Sequence, residues 1–347
     1  MNILFRTDAS IEMGIGHITR CLCLAKSLAR RNRHCEFLTT DNGGIASAMI
    51  TKAGFTCNQI TTSVLCTQSQ LKDAEETILH LKSKTYTWVI VDSYLLDEIW
   101  EMQIRPYTSK ILVIDDILNR RHSCDLFLDQ NPPIGTLQTQ IPLGATKLLG
   151  PEFALIDDRY ADLRENSLFK KKSLTLNQIT ISFGGTDPLN LTCLVLELMT
   201  QVKLPSNCSV TVVMGKAFPW KQEALKLANK LDISAKCVSD ISDLPELLTT
   251  TDLAVGAAGS SAWERACLGV PSILFVVAPN QQRIIEAVCA VGAAVRADAG
   301  NFVNKLNALI ASDFQSTLSI MSANSSALTD GKGAHRVVEA LSREIVR

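Results

Sequence analysis

The chain is organised around residues 14–17, Gly14-Ile15-Gly16-His17, which join a short apolar run to an amphipathic one. Residues 2–6 are typical of a buried strand, residues 6–13 of a polar connection, and from His17 the apolar spacing of three and four predicts a helix. Glycine at such a turn lets a ligand approach the backbone, and the N–H groups of a helix start favour an anion. Because the helix dipole disfavours an imidazolium, we expect His17 to be neutral near pH 7 and able to accept a proton.

The glycine pattern alone does not identify a dinucleotide site. Thr19 stands where the third glycine of a G-x-G-x-x-G motif would be. A tight turn with a histidine beside it also explains the tetrapeptide, so its function depends on the rest of the chain.

Length and composition indicate an ordinary globular protein. The 347 residues predict two domains, and a net charge of −1 shows no basic excess that would favour nucleic acid. Eleven cysteines without a C-x-x-C pair are typical of a reduced chain, and the longest apolar run, residues 273–278, is too short to span a bilayer. Because the sequence begins directly with a strand-like run, we expect no signal peptide. We therefore expect a cytoplasmic monomer that binds no nucleic acid and has no membrane span.

Strand-like and helical runs alternate along the chain, which predicts parallel sheets covered by helices on both faces. We expect two facing Rossmann-like domains at residues 1–150 and 176–330, joined by a linker at 151–175, with a helix in 331–347 packing back on the first. Such domains would hold a ligand in the cleft at the carboxyl ends of their strands. The predicted strands are residues 2–6, 35–39, 88–92, 110–115, 124–128, 178–183, 209–214, 235–238, 253–255 and 272–277, and helices are predicted at 43–53, 71–81, 95–104 and 334–345, among others.

The strongest local signal for chemistry follows the predicted strand at 253–255. Gly259, Ser260 and Ser261 stand at a helix start, where two hydroxyls and free N–H groups would form a phosphate-binding surface. Glu264 lies on the same helix face and could accept hydrogen bonds from ribose hydroxyls. Ser261 and Glu264 also have the spacing of a capping box, so a nucleotide site and an ordinary helix cap both stay open.

A second glycine turn in the same half is Gly184-Gly185-Thr186-Asp187, and Asn190 begins the next helix. In isolation this pattern is best explained as a plain strand-to-helix turn.

Acidic and aromatic side chains follow two strands of the first half. Asp92 and Tyr94 follow one strand and Asp115-Asp116 the next, at the carboxyl edge where ligand contacts concentrate. No Asp-x-Asp or His/Cys cluster accompanies them, so we expect no metal site. The other histidines are expected at the surface or in helix caps: His34, His80, His122 and His335.

Taken together, these motifs resemble the pseudaminic-acid-pathway hydrolases that act on UDP-2,4-diacetamido-2,4,6-trideoxy-β-L-altropyranose. The resemblance runs over essentially the whole chain, and this family is similar in fold to the MurG-type glycosyltransferases of GT-B architecture. The motifs that carry it are Arg6-Thr7-Asp8-Ala9-Ser10, residues 14–17, Arg20-Cys21-Leu22, residues 184–187 with Asn190, Gly259-Ser260-Ser261 with Glu264, Pro279-Asn280-Gln281 and residues 330–336.

The resemblance implies a reaction in which water, activated by His17 as general base, attacks C1 of the sugar. UDP then leaves with inversion, giving 2,4-diacetamido-2,4,6-trideoxy-L-altrose without a cofactor or metal. A MurG-type glycosyltransferase, a UDP-sugar 2-epimerase and a non-catalytic UDP-sugar sensor are the alternatives. The substrate-binding residues implied are Gly14 and Gly16, Tyr94 at the sugar or water, Asn190, Gly259, Ser260 and Ser261 at the diphosphate, Glu264 at the ribose, and Asn280 and Gln281 near the sugar or phosphate.

Overall fold

The computed structural model describes residues 1–9, 14–40, 44–62, 67–133, 140–173, 175–216, 218–239, 241, 243–311 and 313–346. The chain forms two compact units, of which the first combines Met1–Leu155 with Lys332–Arg347 and the second is Ile156–Gly331. Residues 10–13, which include Ser10 and end the predicted polar connection, lie outside the described residues. So does Gly43, where a helix was predicted to begin.

The first unit is built on a seven-stranded sheet in which every pairing is parallel. Its elements are β1 (Asn2–Thr7), α1 (Gly16–Ala29), β2 (His34–Thr40), α2 (Ile45–Lys52), β3 (Thr56–Ile60), α3 (Thr67–Leu81), β4 (Tyr86–Asp92), α4 (Glu98–Ile104), β5 (Thr108–Ile114), β6 (Leu126–Asp129) and β7 (Thr146–Leu149). The strand order is β3-β2-β1-β4-β5-β6-β7. The chain therefore runs outward from β1 in both directions, which brings β4 next to β1.

Alternate residues of the central strands enter two separate apolar clusters. Ile3 and Phe5 of β1 pack in a cluster with residues of α1, whereas Leu4 packs in a cluster with Trp100 of α4. Because successive side chains of a strand point to opposite faces, both faces of this sheet are covered.

The second unit is built on a six-stranded sheet that is also parallel throughout. Its elements are α5 (Asp158–Lys170), β8 (Gln178–Ser182), α6 (Leu191–Met199), β9 (Ser209–Met214), α7 (Lys221–Ala228), β10 (Ser234–Ser239), α8 (Leu244–Thr249), β11 (Leu253–Ala257), α9 (Ser261–Cys267), β12 (Ser272–Phe275), α10 (Gln282–Ala290), β13 (Ala294–Arg296), α11 (Phe302–Leu309) and α12 (Phe314–Leu328). The strand order is β10-β9-β8-β11-β12-β13. The prediction of two α/β domains with parallel sheets is confirmed.

The last helix, α13 (Gly333–Val346), belongs to the first unit and packs on α1. Its buried residues Val337, Val338 and Leu341 join the apolar cluster that contains Ile3 and Phe5. α13 thereby completes the core on that face of the first sheet.

Two further findings concern the described part of the chain. None of its helices combines the length and the apolar character needed to cross a bilayer. All ten of the cysteines that it contains are free thiols.

Candidate functional site

The first cluster of candidate residues lies where α1 begins, beside the end of β4. His17 is the second residue of α1, and Asp92 is the last residue of β4. β1 and β4 are neighbours in register, with Thr7 opposite Asp92, so the start of α1 lies close to the end of β4. Both side chains are buried, and His17 Nδ1 lies 2.5 Å from Asp92 Oδ1.

Arg20 lies one helical turn after His17 and holds Asp92 from a second direction. Its Nε donates to Asp92 Oδ2 at 2.7 Å, its Nη2 to Asp92 Oδ1 at 2.6 Å and its Nη1 to Asp116 Oδ2 at 2.8 Å. Burial favours the neutral form of Asp92, but the Arg20 guanidinium and the His17 ring outweigh it and hold the pKa of Asp92 well below its usual value. Asp92 is therefore a carboxylate at neutral pH.

The Asp92 carboxylate determines which ring nitrogen of a neutral His17 carries the proton. Because an ionised carboxylate only accepts hydrogen bonds, the nitrogen that faces it must donate. Arg20 Nη2 lies farther from His17 Nδ1, at 3.3 Å, so the shorter contact places the Nδ1 proton toward Asp92. Nε2 then keeps its lone pair, and within the described residues it has no hydrogen-bond partner. A histidine held in this way can take a proton from water, and the carboxylate stabilises the imidazolium that forms.

The ring of Tyr94 packs against the ring of His17. The two ring centroids are 4.4 Å apart with their planes at 78°, an edge-to-face contact. The Tyr94 hydroxyl donates to Asp116 Oδ1 at 2.6 Å, while the other oxygen of Asp116 accepts from Arg20. The structure thus connects Tyr94 to His17 directly.

His122 does not lie at the surface or in a helix cap, so that expectation is wrong. It is buried, with Nδ1 at 2.7 Å from Glu101 Oε1 and Nε2 at 3.2 Å from Asp115 Oδ2. Burial lowers the pKa of His122, but hydrogen bonds to Asp115 and Glu101 outweigh it and raise the pKa to about 9. His122 is therefore an imidazolium at neutral pH. The polar residues next to it in the sequence, Arg120, Arg121 and Ser123, gave no sign of its carboxylate partners.

Arg120 extends this ion network toward Tyr94. Its Nη2 donates to Asp115 Oδ1 at 2.7 Å, and its Nη1 donates to the backbone carbonyl of Ser93 at 3.0 Å. Its guanidinium also lies over the Tyr94 ring, 5.9 Å from the centroid. The network therefore ties the segment that follows β4 to the segment that follows β5.

Gly14 and Gly16, the two glycines of the first unit predicted to bind substrate, differ in backbone conformation. Gly14 has φ of +80°, a backbone conformation that favours glycine, whereas Gly16 is the first residue of α1. A Cβ added at either would meet no atom of the described residues within 4 Å.

In the second unit the capping box does not form. The N-cap of α9 is Ser260, in a helical backbone conformation and without a side-chain capping bond. Ser261 is already inside the helix, and its hydroxyl accepts from Arg265 Nη1 at 3.2 Å. Neither serine hydroxyl therefore satisfies an N–H group at the start of α9.

Glu264 is held by an aromatic residue that the sequence did not single out. The Tyr160 hydroxyl of α5 hydrogen-bonds the Glu264 carboxyl group. Burial raises the pKa of Glu264, and it outweighs the opposing effect of the Tyr160 hydrogen bond and of Arg265. The guanidinium of Arg265 is buried beside it and donates from Nη2 to Ala257 O at 2.7 Å.

The remaining predicted residues of this unit follow neighbouring strands. Asn190 follows β8, Gly259 follows β11 and Gln281 follows β12, and the order β8-β11-β12 places these ends side by side. A Cβ on Gly259 would lie 3.5 Å from Gln281 Nε2, and Gln281 Oε1 accepts from Val277 N at 3.0 Å. Asn280 precedes Gln281 in the same short 3₁₀ turn.

The Gly184–Asn190 turn carries its own helix cap. Asp187 Oδ1 accepts from Leu191 N at 3.0 Å and its Oδ2 from Thr192 N at 2.8 Å, which satisfies two N–H groups at the start of α6. Asn190 has a left-handed backbone, with φ of 51°, and among the described residues its buried Oδ1 has no hydrogen-bond partner. Asp187 thus has a structural role, while the Asn190 amide oxygen is available.

Within each unit the structure therefore gathers the predicted residues at the carboxyl ends of adjacent strands. His17 and Tyr94 lie together in the first unit, and Gly259 and Gln281 lie together in the second. Three residues beside them were given no role from the sequence, namely Arg20, Asp92 and Asp116, although Asp92 and Asp116 were expected at this carboxyl edge. Over the described ranges, no group of three His, Cys, Asp or Glu side chains is arranged to hold a metal ion.

Two parallel-sheet α/β units and the similarity to solved structures define the class as the GT-B fold. MurG of Acinetobacter baumannii has a TM-score of 0.73 at 15% identity, over 99% of both chains. UDP-GlcNAc 2-epimerase of Neisseria meningitidis, bound to UDP-GlcNAc, has a TM-score of 0.62 at 12% identity, over 99% of this chain and 100% of the other. The rhamnosyltransferase SpnG in complex with thymidine diphosphate has a TM-score of 0.63 at 14% identity, over 98% and 100%.

No family model matches the chain, but several proteins are similar to it in sequence. The UDP-2,4-diacetamido-2,4,6-trideoxy-β-L-altropyranose hydrolase of Campylobacter jejuni is 26% identical over 264 residues, which cover 75% of this chain and 86% of the hydrolase. The spore coat polysaccharide biosynthesis protein SpsG of Bacillus subtilis is 24% identical over 348 residues, 98% of each chain. The uncharacterized protein MJ1062 of Methanocaldococcus jannaschii is 26% identical over 283 residues, 79% of this chain but only 55% of that protein, so the match spans about half of its length. The chain is thus a distant homologue of the named hydrolase with a MurG-like fold.

Proposed function

We propose that this chain is a hydrolase that releases UDP from UDP-2,4-diacetamido-2,4,6-trideoxy-β-L-altropyranose in pseudaminic acid biosynthesis. The observation that carries the proposal is the buried His17–Asp92 pair, with His17 Nδ1 2.5 Å from the carboxylate. It occurs in a chain with homology to a named hydrolase of this substrate. The proposal includes the monomeric state and the cytoplasmic location expected above.

The chemical step begins with a water molecule that donates a hydrogen bond to His17 Nε2. As the water oxygen attacks C1, its proton passes to Nε2 and the bond between C1 and the phosphate oxygen breaks. UDP leaves with the electron pair of that bond, and the sugar is inverted at C1. General base catalysis of this kind contributes roughly 10²–10⁴-fold to the rate.

The diphosphate and ribose are assigned to the second unit. Gly259, Ser260 and Ser261 would hold the diphosphate, because the two hydroxyls are not used to cap α9 and can donate to phosphate oxygens. Glu264 would accept from the ribose hydroxyls. Asn190, with its available Oδ1, would bind the same substrate, as would Asn280 and Gln281 near the sugar or phosphate.

In the first unit Gly14 and Gly16 would let the substrate approach the backbone before α1. Tyr94 would lie at the sugar or the attacking water. Because the Tyr94 ring contacts His17 edge to face, Tyr94 would also help to position the base.

The experiment is incubation with the UDP-sugar in ¹⁸O-labelled water without an acceptor, followed by NMR and mass spectrometry of the products. The proposal predicts stoichiometric UDP and a free sugar that carries ¹⁸O at C1, first formed as the inverted anomer. Label in UDP instead of the sugar would show that a phosphate bond breaks and would contradict the mechanism.

A MurG-type glycosyltransferase is the second candidate, since MurG matches nearly the whole chain in fold. That activity predicts UDP release only after an acceptor is added. An epimerase would return an isomerised nucleotide sugar or a glycal-derived product, which the same NMR spectra distinguish.

A further inference from the structure

Asn131 combines deep burial with an unused side chain. Its side chain lies just beyond β6 and the residue is 1% exposed, yet neither Oδ1 nor Nδ2 has a hydrogen-bond partner in the described parts of the chain. An amide buried in this way lowers stability unless something pairs with it, and most buried polar atoms in proteins are paired.

Two hydrogen bonds hold the backbone that leads into Asn131. Its own N–H donates to Asp129 Oδ1 at 2.9 Å, and the neighbouring Gln130 accepts from Leu155 N at 2.6 Å through Oε1. The unpaired amide of Asn131 therefore follows a segment whose position is fixed by hydrogen bonds.

The position of Asn131 relates it to the proposed catalytic residues. The strand order β1-β4-β5-β6 places it at the same carboxyl edge as His17, Asp92 and Asp116. With neighbouring strands about 4.8 Å apart, the end of β6 is roughly 10 Å from the end of β4. A substituted sugar whose C1 lies near His17 can extend in that direction.

We propose that Asn131 recognises an acetamido group of the sugar, an inference that rests on the proposed function and adds a specificity determinant to it. An acetamido group offers one carbonyl acceptor and one N–H donor. The Asn131 side chain offers the complementary pair, a donor at Nδ2 and an acceptor at Oδ1. An ammonium group at the same ring carbon donates but cannot accept, so it leaves Nδ2 unpaired.

The test compares the isosteric variant Asn131→Leu with a matched control, Gln70→Met. Gln70 is also a buried amide of the first unit, but both its polar atoms are paired, with Nε2 donating to Asp97 Oδ2 and Oε1 accepting from Asp97 N, each at 3.2 Å. Dissociation constants are measured by calorimetry in a His17→Asn background, so that the substrate persists. The ligands are UDP, the diacetamido UDP-sugar and its two analogues with a free amine in place of one acetamido group.

We expect Asn131→Leu to weaken binding of the diacetamido UDP-sugar at least ~10-fold while UDP binding stays within about twofold. One of the two amine analogues should bind the parent His17→Asn protein more weakly than the diacetamido UDP-sugar does. The added Asn131→Leu substitution should not weaken the binding of this analogue any further. The urea midpoint of Asn131→Leu should be unchanged or higher, whereas Gln70→Met should lower the midpoint without altering sugar binding.

Equal binding of the UDP-sugar by parent and Asn131→Leu would overturn the inference. So would a lowered urea midpoint with unchanged discrimination among the sugars, which would indicate that the amide holds a buried water. Absence of any UDP-sugar binding would overturn this inference and the proposed function together. Binding without UDP release by the wild-type enzyme would overturn the hydrolase alone.

Discussion

His17 Nδ1 lies 2.5 Å from Asp92 Oδ1, and Arg20 holds both oxygens of the same carboxylate. The carboxylate is thereby ionised and fixed, and it in turn fixes the orientation of the imidazole. Under the proposed function, this relationship separates the roles of the three residues. His17 is the base, Asp92 positions it, and Arg20 keeps Asp92 ionised.

Replacing Asp92 with Asn should lower kcat by roughly 10²–10⁴-fold, because the amide can donate to His17 Nδ1 and move the ring proton to Nε2. KM and the dissociation constant for UDP should stay nearly the same, since Asp92 is assigned no contact with UDP. Steady-state kinetics with a coupled assay for UDP release, together with calorimetry, provides the measurement.

The control is Asp125→Asn, which removes a carboxylate of the first unit that pairs with Arg105. Its kcat should equal that of the wild type. A kcat for Asp92→Asn within threefold of wild type would rule out a positioning role for Asp92.

Replacing Glu264 with Gln should weaken UDP binding by about tenfold, because a charged acceptor is lost from the ribose hydroxyls. Binding of 2′,3′-dideoxy-UDP should be weak in the wild type and change little in the variant. Calorimetric titration of both nucleotides into both proteins forms a double-mutant cycle. An equal loss for the two nucleotides would show that Glu264 does not bind the ribose.

The buried imidazolium of His122 predicts a pH-dependent stability. Its pKa rises from about 6.5 in the unfolded chain to about 9 in the fold. The stabilisation is therefore fully present below about pH 6.5 and is lost as the pH rises through 9, with a magnitude on the order of 3 kcal/mol. Urea unfolding of wild type and His122→Gln should show the largest difference in unfolding free energy at pH 6 and a smaller one at pH 9.5. A difference that grows with pH would have the wrong sign for this account.

The central strands of both sheets were predictable because their apolar runs are buried on both faces. Three strands were not predicted, β3, β7 and β13, and all three lie at sheet edges. β3 reads Thr56-Cys57-Asn58-Gln59-Ile60 and buries only Ile60, so it has neither an apolar run nor a clean alternation. β3 is defined by its pairing with β2, which its local sequence does not contain, whereas the edge strand β10 was predicted from its sequence.

The candidate site was predictable in part for a related reason. His17 stands out beside its glycines, and Asp92 could be placed at a carboxyl edge. Their contact joins residues 75 positions apart and depends on β4 lying next to β1. Arg20 was named from the sequence only as part of the motif Arg20-Cys21-Leu22, and its carboxylate partners depend on the same strand order.

The most direct test of the central claim is the kcat of His17→Asn, measured together with its dissociation constant for UDP. The account predicts that UDP binding stays within about twofold of wild type, while UDP release from the sugar nucleotide falls by roughly 10²–10⁴-fold. A variant that binds UDP normally and retains near-wild-type kcat would show that His17 is not the base.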